Sequence, residues 1–150
     1  MYDKNLVNIL DNIAILLQIK GENPFKARAY SNAAAIIREN QIDVRGEVQE
    51  GTLGNLKGFG NAFVKKLTEY VQQGKISVYE KLISEIPESL VDITKIKSIG
   101  PGKTRLVYEK LGITTLAEFE KACKDGRLSN LKGFTQKTID VIIENVSQKK

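Results

Sequence analysis

Leu6, Ile9, Leu10, Ile13, Leu16 and Leu17 recur at steps of three and four, the spacing of one helical face, with Asp3 placed to cap the start. This predicts an amphipathic helix of about four turns that stops near Gly21. Asn23-Pro24 then supplies an N-cap followed by proline at the first helical position. A second helix is expected over Pro24–Glu39, where Ala29, Ala33, Ala34 and Ala35 permit close packing, and a short one over Val44–Glu50, stopped by Gly51. Phe63, Val64, Leu67, Tyr70 and Val71 mark a helix closed by Gly74. Further helices are expected over residues 78–86, ended by Pro87, over 89–96, and over 104–111, with Gly112 as the stop. Thr115 caps a helix reaching Lys124, and the last runs over 136–146. No pair of alternating strands is visible, so the expected fold is all-α. The softest break lies at 74–77 or at Pro87, and residues 1–78 and 79–150 are read as two helical units.

The gaps between these helices carry a repeat. Asn55-Leu56-Lys57-Gly58-Phe59 returns unchanged as Asn130-Leu131-Lys132-Gly133-Phe134, 75 residues later. Over 51–75 against 126–150, eleven positions match, among them Leu53/Leu128, Glu69/Glu144 and Val71/Val146, so a duplicated unit is favoured over coincidence. A divergent third variant, Ile96-Lys97-Ser98-Ile99-Gly100-Pro101-Gly102-Lys103, lies between them.

Each variant is an apolar residue, a glycine-containing turn and a helix start. Such a turn offers backbone N–H groups and the positive end of a helix dipole to a phosphate. Gly58 and Gly60 are expected to permit positive φ and to remove side chains that would block a phosphate, while Leu56 and Phe59 anchor the turn in the core. Lys57, Lys65 and Lys66 add diffuse attraction. Contacts of this kind touch the nucleic-acid backbone rather than base edges, so binding is expected to ignore sequence and to weaken steeply with salt. The copies are unequal: Ser98 replaces Gly58, and Thr135 replaces Gly60. The turns at Gly58 and Gly100 are therefore expected to bind, and the one at Gly133 to be structural.

Composition narrows the chemistry. With 23 Lys+Arg against 18 Asp+Glu the net charge is +5, a mild excess compatible with a nucleic-acid partner or with a solvated basic surface. Cys123 is the one cysteine and histidine is absent, so no disulfide forms within the chain and a Cys/His zinc site is excluded. The default for Cys123 is a buried structural thiol. No signal peptide or membrane span is evident, and a soluble intracellular location is expected, cytoplasm or nucleoid in a bacterium. Gly102-Lys103-Thr104 mimics the end of a P-loop, but Lys97 stands where that motif needs glycine and no strand precedes it.

Gly58-Phe59-Gly60 and Ile99-Gly100-Pro101-Gly102 resemble the two helix-hairpin-helix motifs of family X DNA polymerases. Residues 22–30, Glu-Asn-Pro-Phe-Lys-Ala-Arg-Ala-Tyr, resemble the entry to the second helix of their N-terminal lyase domain, especially in bacterial members, and Leu111-Gly112-Ile113 with Thr115-Leu116 also fits. The resemblance implies a lyase-type domain over 1–78 and a DNA-binding subdomain over 79–150. It implies DNA contacts from Lys57, Gly58, Phe59, Gly60 and Lys65, from Gly100, Pro101, Gly102, Lys103 and Thr104, and from Lys26 and Arg28 at a 5′-phosphate. It also implies a monovalent cation, Na+ or K+, on the carbonyls of Gly54, Leu56 and Phe59 and of Thr94, Ile96 and Ile99.

Polymerisation in that family needs a palm with an Asp-x-Asp pair, and none occurs in these 150 residues, so no polymerase activity is expected of them. A palm on another chain, or another repair protein, is an implied partner beside gapped, nicked or single-strand-containing DNA. Three functions stay open: sequence-independent DNA binding in repair or gap and end recognition, a 5′-deoxyribose-phosphate lyase, and a protein-interaction scaffold. For the lyase, Lys66 matches the Schiff-base lysine and Tyr30 the tyrosine beside it, while Ala62 and Val78 replace supporting lysines. The chemistry needs a neutral amine, which burial or a neighbouring cation such as Lys65 or Lys26 would favour.

Overall fold

The computed structural model describes residues 2–148, with side chains through residue 146. Among them are nine α-helices, two 3-10 turns and no strand, as the sequence periodicity required. The chain divides into two compact units, one of residues 1–17 and 22–85, the other of 18–21 and 86–150.

Helix α1 (Lys4–Lys20), which belongs to the first unit through Leu17, buries Leu6, Leu10, Ile13, Leu16 and Leu17. Asp3 caps it by accepting the Leu6 N–H at 3.1 Å, and its second oxygen accepts the Tyr70 hydroxyl at 3.0 Å. Helix α2 (Pro24–Glu39) starts at Asn23, whose side chain accepts the Phe25 N–H, and turns Ala27, Tyr30, Ala33, Ala34 and Ile37 into the core. Helix α3 (Val44–Glu50) is capped by Asp43 and ended by Gly51. A 3-10 turn (Leu53–Asn55) leads through the first repeat into α4 (Asn61–Gln73), and α5 (Ser77–Glu85) closes the unit.

The second unit contains α6 (Leu90–Thr94), α7 (Gly100–Leu111), α8 (Leu116–Asp125), a 3-10 turn (Arg127–Asn130) and α9 (Gln136–Gln148). Its core is built on Leu90, Ile93, Val107, Phe119, Leu128 and Ile142, all fully buried. Cys123 joins them, and burial, helped by the Glu120 and Asp125 charges, pushes its thiol up to about 11. Helix α7 begins at Gly100, four residues before the start expected from the sequence. Proline costs little in a first turn, because the N–H it lacks has no intrahelical partner there. No helix among the described residues is long and apolar enough to cross a membrane.

Candidate nucleic-acid interface

Hairpin 1 runs from Leu56 to Gly60. The 3-10 turn before it ends with the Leu56 N–H donating to the Leu53 carbonyl at 3.2 Å, after which Leu56 is extended (φ −80°, ψ 135°). Gly58 then reverses the chain at φ +101°. A Cβ there would also stand 2.5 Å from Ile36 Cδ1, the end of a half-exposed side chain, so it is chiefly the left-handed backbone that demands glycine. Phe59 turns inward and is buried.

Gly60 differs from the expectation. Its φ is −80° with ψ 175°, extended backbone that any residue adopts, and a Cβ on it would meet nothing within 4 Å. Neither conformation nor packing calls for glycine at this position. It lies at the N-cap of α4 with no side-chain cap, and the chain is open to an approaching group at that point.

Hairpin 2 reaches a related shape by other means. Ser98 takes the left-handed place of Gly58 at φ +76°, and Gly100 follows at φ +66°. The Ile99 N–H donates to the Ile96 carbonyl at 3.1 Å, and both side chains are buried. Gly102 lies in the first turn of α7 outside the left-handed region, and a Cβ on it would again meet nothing within 4 Å. Thr104, expected to contact DNA, is fully buried, and its hydroxyl donates to the Gly100 carbonyl at 2.8 Å. Its side chain braces the hairpin from inside, and the Phe59 side chain is likewise confined to the core.

Hairpin 3 repeats the backbone of hairpin 1. Leu131 is extended (φ −94°, ψ 141°), Gly133 has φ +88° and Phe134 is buried. The difference falls on Thr135, whose hydroxyl accepts the Thr138 N–H at 3.2 Å. Where Gly60 leaves the helix start bare, Thr135 covers it with its own cap. The stem of Lys103 lies beside this turn, its Cε 3.5 Å from where a Cβ on Gly133 would be.

The carbonyls implied for a cation divide in the same way. Those of Leu56 and Phe59 accept no hydrogen bond among the described residues, whereas that of Ile96 already takes the Ile99 N–H. No group of three or more Cys, Asp or Glu side chains able to hold a metal occurs among the described residues.

The lyase candidates form a second cluster, on α2 and α4. Lys66 is half-buried, with its Nζ 6.0 Å from the Tyr30 ring centroid and 5.7 Å from that of Phe63. The two rings meet edge to face at 5.0 Å. Burial raises the Tyr30 phenol above its ordinary value. Lys65 and Lys66 share a shallow depression with Ala62 and Glu69. Glu69 is held below the usual carboxylate range, first by the Ser77 hydroxyl and N–H that donate to it, then by Lys75 and Lys66. Lys26 is exposed, and Arg28 lies 5.4 Å over the ring of Phe25. Phe25 is 73% exposed and Phe63 walls the lysine, roles that sequence reasoning did not assign. The signal for Phe25 was its place off the buried stripe of Ala27, Tyr30 and Ala34.

Residues 1–76 match the model of a helix-hairpin-helix domain. The chain belongs to the helix-hairpin-helix family. Residues 90–146 match a SAM-like helix-hairpin-helix tandem, which contains hairpins 2 and 3. The chain is also 30% identical over 148 residues to the DNA polymerase/3′-5′ exonuclease PolX of Bacillus subtilis (strain 168). That alignment covers 99% of this chain and 25% of the relative, so the chain spans about a quarter of the length of the curated relative it matches. It bears out the resemblance to the N-terminal region of family X polymerases.

Proposed function

We propose that the chain binds DNA without regard to sequence, hairpins 1 and 2 each gripping a backbone phosphate through the bare N-terminus of the following helix. One observation carries this reading: Gly60 and Gly102 satisfy no requirement of the fold, since both have ordinary backbone and open space around the missing Cβ. Glycine at such places lets a ligand approach the main chain closely. The preferred DNA contains a gap, nick or single strand, because Phe25 offers an exposed ring on which an unpaired base can stack. Lys26 and Arg28 flank that ring at the start of α2, suited to a terminal phosphate.

The test compares gapped, nicked, single-stranded and intact duplex DNA across salt concentrations. Gapped DNA is expected to bind tightest, with affinity falling linearly on a log–log salt plot and Phe25→Ala removing the preference for gaps. Equal affinity for intact duplex would remove the gap reading, and absence of salt dependence would leave the scaffold reading in its place. The same titration in K+ and in N-methylglucamine at equal ionic strength checks a cation at the Leu56 and Phe59 carbonyls, which predicts tighter binding in K+.

A second reading, lyase action on a 5′-deoxyribose phosphate, rests on Lys66 beside Tyr30 and Phe63. The Lys66 amine would attack the sugar aldehyde and expel water to form the imine. Borohydride should then trap a covalent adduct on incised abasic DNA, and Lys66→Ala should abolish it. Failure to trap any adduct on DNA that the protein demonstrably binds would leave a binding module alone. No polymerase step is assigned to these residues, which contain no Asp-x-Asp pair.

A further inference from the structure

A cavity of about 780 Å³ opens in the first unit between the end of α2, the α2–α3 loop, α3 and the root of hairpin 1. Its walls are aliphatic, formed by the half-exposed side chains of Ile36, Ile42 and Leu56. Its polar lining holds the carboxylates of Asp43 and Glu47 and the amides of Asn40 and Gln41, with Lys57 as its one cation. The Asn40 and Gln41 amide groups donate inward to the Ile36 and Arg38 carbonyls, at 3.0 and 2.9 Å, which leaves their side-chain oxygens available. Asp43 spends Oδ1 on the Gly46 N–H at 3.1 Å, leaving Oδ2, and Glu47 bonds the Thr52 hydroxyl through Oε2, leaving Oε1. Neither carboxylate is paired with a cation among the described residues. Gln41, on the rim, holds φ +51° as the left-handed residue that closes α2, the Ile42 N–H returning to the Ile37 carbonyl at 3.0 Å.

These features specify an occupant. The chain as a whole carries +5, yet this cavity sets two carboxylates and two amide oxygens against the one cation Lys57, so a phosphate is repelled from it. A guanidinium, with five donors and no acceptor, answers such a lining. The three aliphatic walls call for an apolar side chain beside the cation, and the volume lies in the range of ordinary ligand pockets, roughly 300–1,000 Å³. We propose that the cavity docks a short extended segment of a partner protein carrying arginine next to an aliphatic residue. The site adjoins hairpin 1 and shares Leu56, Lys57 and Gly58 with it, so its test is made without DNA.

The probe is a blocked peptide, acetyl-Leu-Arg-Ile-Arg-amide, titrated into the isotopically labelled 150-residue chain without DNA. Saturable shifts are expected at the Gly46 and Gly58 amides and at the methyl groups of Ile36, Ile42 and Leu56. The double variant Asp43→Asn, Glu47→Gln should weaken binding about tenfold by removing both charges. It retains the Asn-type cap on α3 and an acceptor for Thr52, so an unchanged spectrum elsewhere separates lost binding from lost fold. The proposal is overturned if acetyl-Leu-Glu-Ile-Glu-amide binds equally well, if no saturable shift occurs, or if the double variant binds unchanged. Equal affinity for arginine amide alone would also overturn it, in favour of a small-cation site.

Discussion

Gly60→Val and Gly102→Leu each lower affinity for gapped DNA about tenfold, the worth of one charge-assisted contact to a phosphate, and together they lower it about a hundredfold. Both leave the fold intact. At Gly60 the backbone is extended and the new side chain enters open space, so stability stays within about 0.5 kcal/mol. At Gly102 a helix former replaces glycine in the first turn of α7, which stabilises by up to about 1 kcal/mol. Loss of function with retained or increased stability is the signature of a residue kept for access. The measurement pairs fluorescence anisotropy on gapped DNA with thermal unfolding of each variant. The loss should be alike on unrelated sequences, since only the phosphate backbone is touched. A variant that binds as well as the parent, or whose affinity falls only in step with its stability, sinks the phosphate-grip model. Thr135→Gly is the complement: it uncovers the start of α9 and removes the cap on Thr138, and stability falls by only about 0.3 kcal/mol because glycine is itself a tolerated N-cap.

The helices were legible because their ends carry strong local signals. Asn23-Pro24 marks the start of Pro24–Glu39 and Gly51 the end of Val44–Glu50, while the Asp43 cap became visible only in the structure. The start of α7 was misplaced because Gly100-Pro101-Gly102 reads as a string of helix breakers, although the first turn tolerates all three. The 3-10 turns before hairpins 1 and 3 escaped notice since three or four residues carry no periodicity. In the hairpins, sequence located the glycines but could not separate their uses. Freedom in φ and absence of a Cβ are the same letter. Gly58 is set apart from Gly60 chiefly by its left-handed backbone, and also by Ile36, which lies 22 residues earlier and meets it only in the folded unit. For the same reason Phe63 looked like one more core position, and its place beside Tyr30 and Lys66 emerged only with α2 packed on α4.

That division predicts an opposite outcome for Gly58. Gly58→Ala destabilises the first unit by roughly 1–2 kcal/mol, mainly the cost of an L side chain at φ +101°, because the Ile36 Cδ1 that the new Cβ meets at 2.5 Å ends a half-exposed side chain that can turn aside. The two causes are separable. Ile36→Val removes Cδ1 while keeping a branched aliphatic chain, so in the double variant the smaller steric part, about 0.5 kcal/mol, is recovered while the backbone part stays. Chemical denaturation read by helical circular dichroism and by hydrogen exchange at α2 and α4 gives the four stabilities of the cycle. Ser98 supplies the control, for it already pays the backbone cost at φ +76° in the second unit, and Ser98→Gly should stabilise that unit by roughly 1–2 kcal/mol. A neutral Gly58→Ala would mean that hairpin 1 relaxes out of the left-handed backbone seen here. Gly58 would then serve access, as Gly60 does, and the assignment of one glycine to fold and the other to function would be lost.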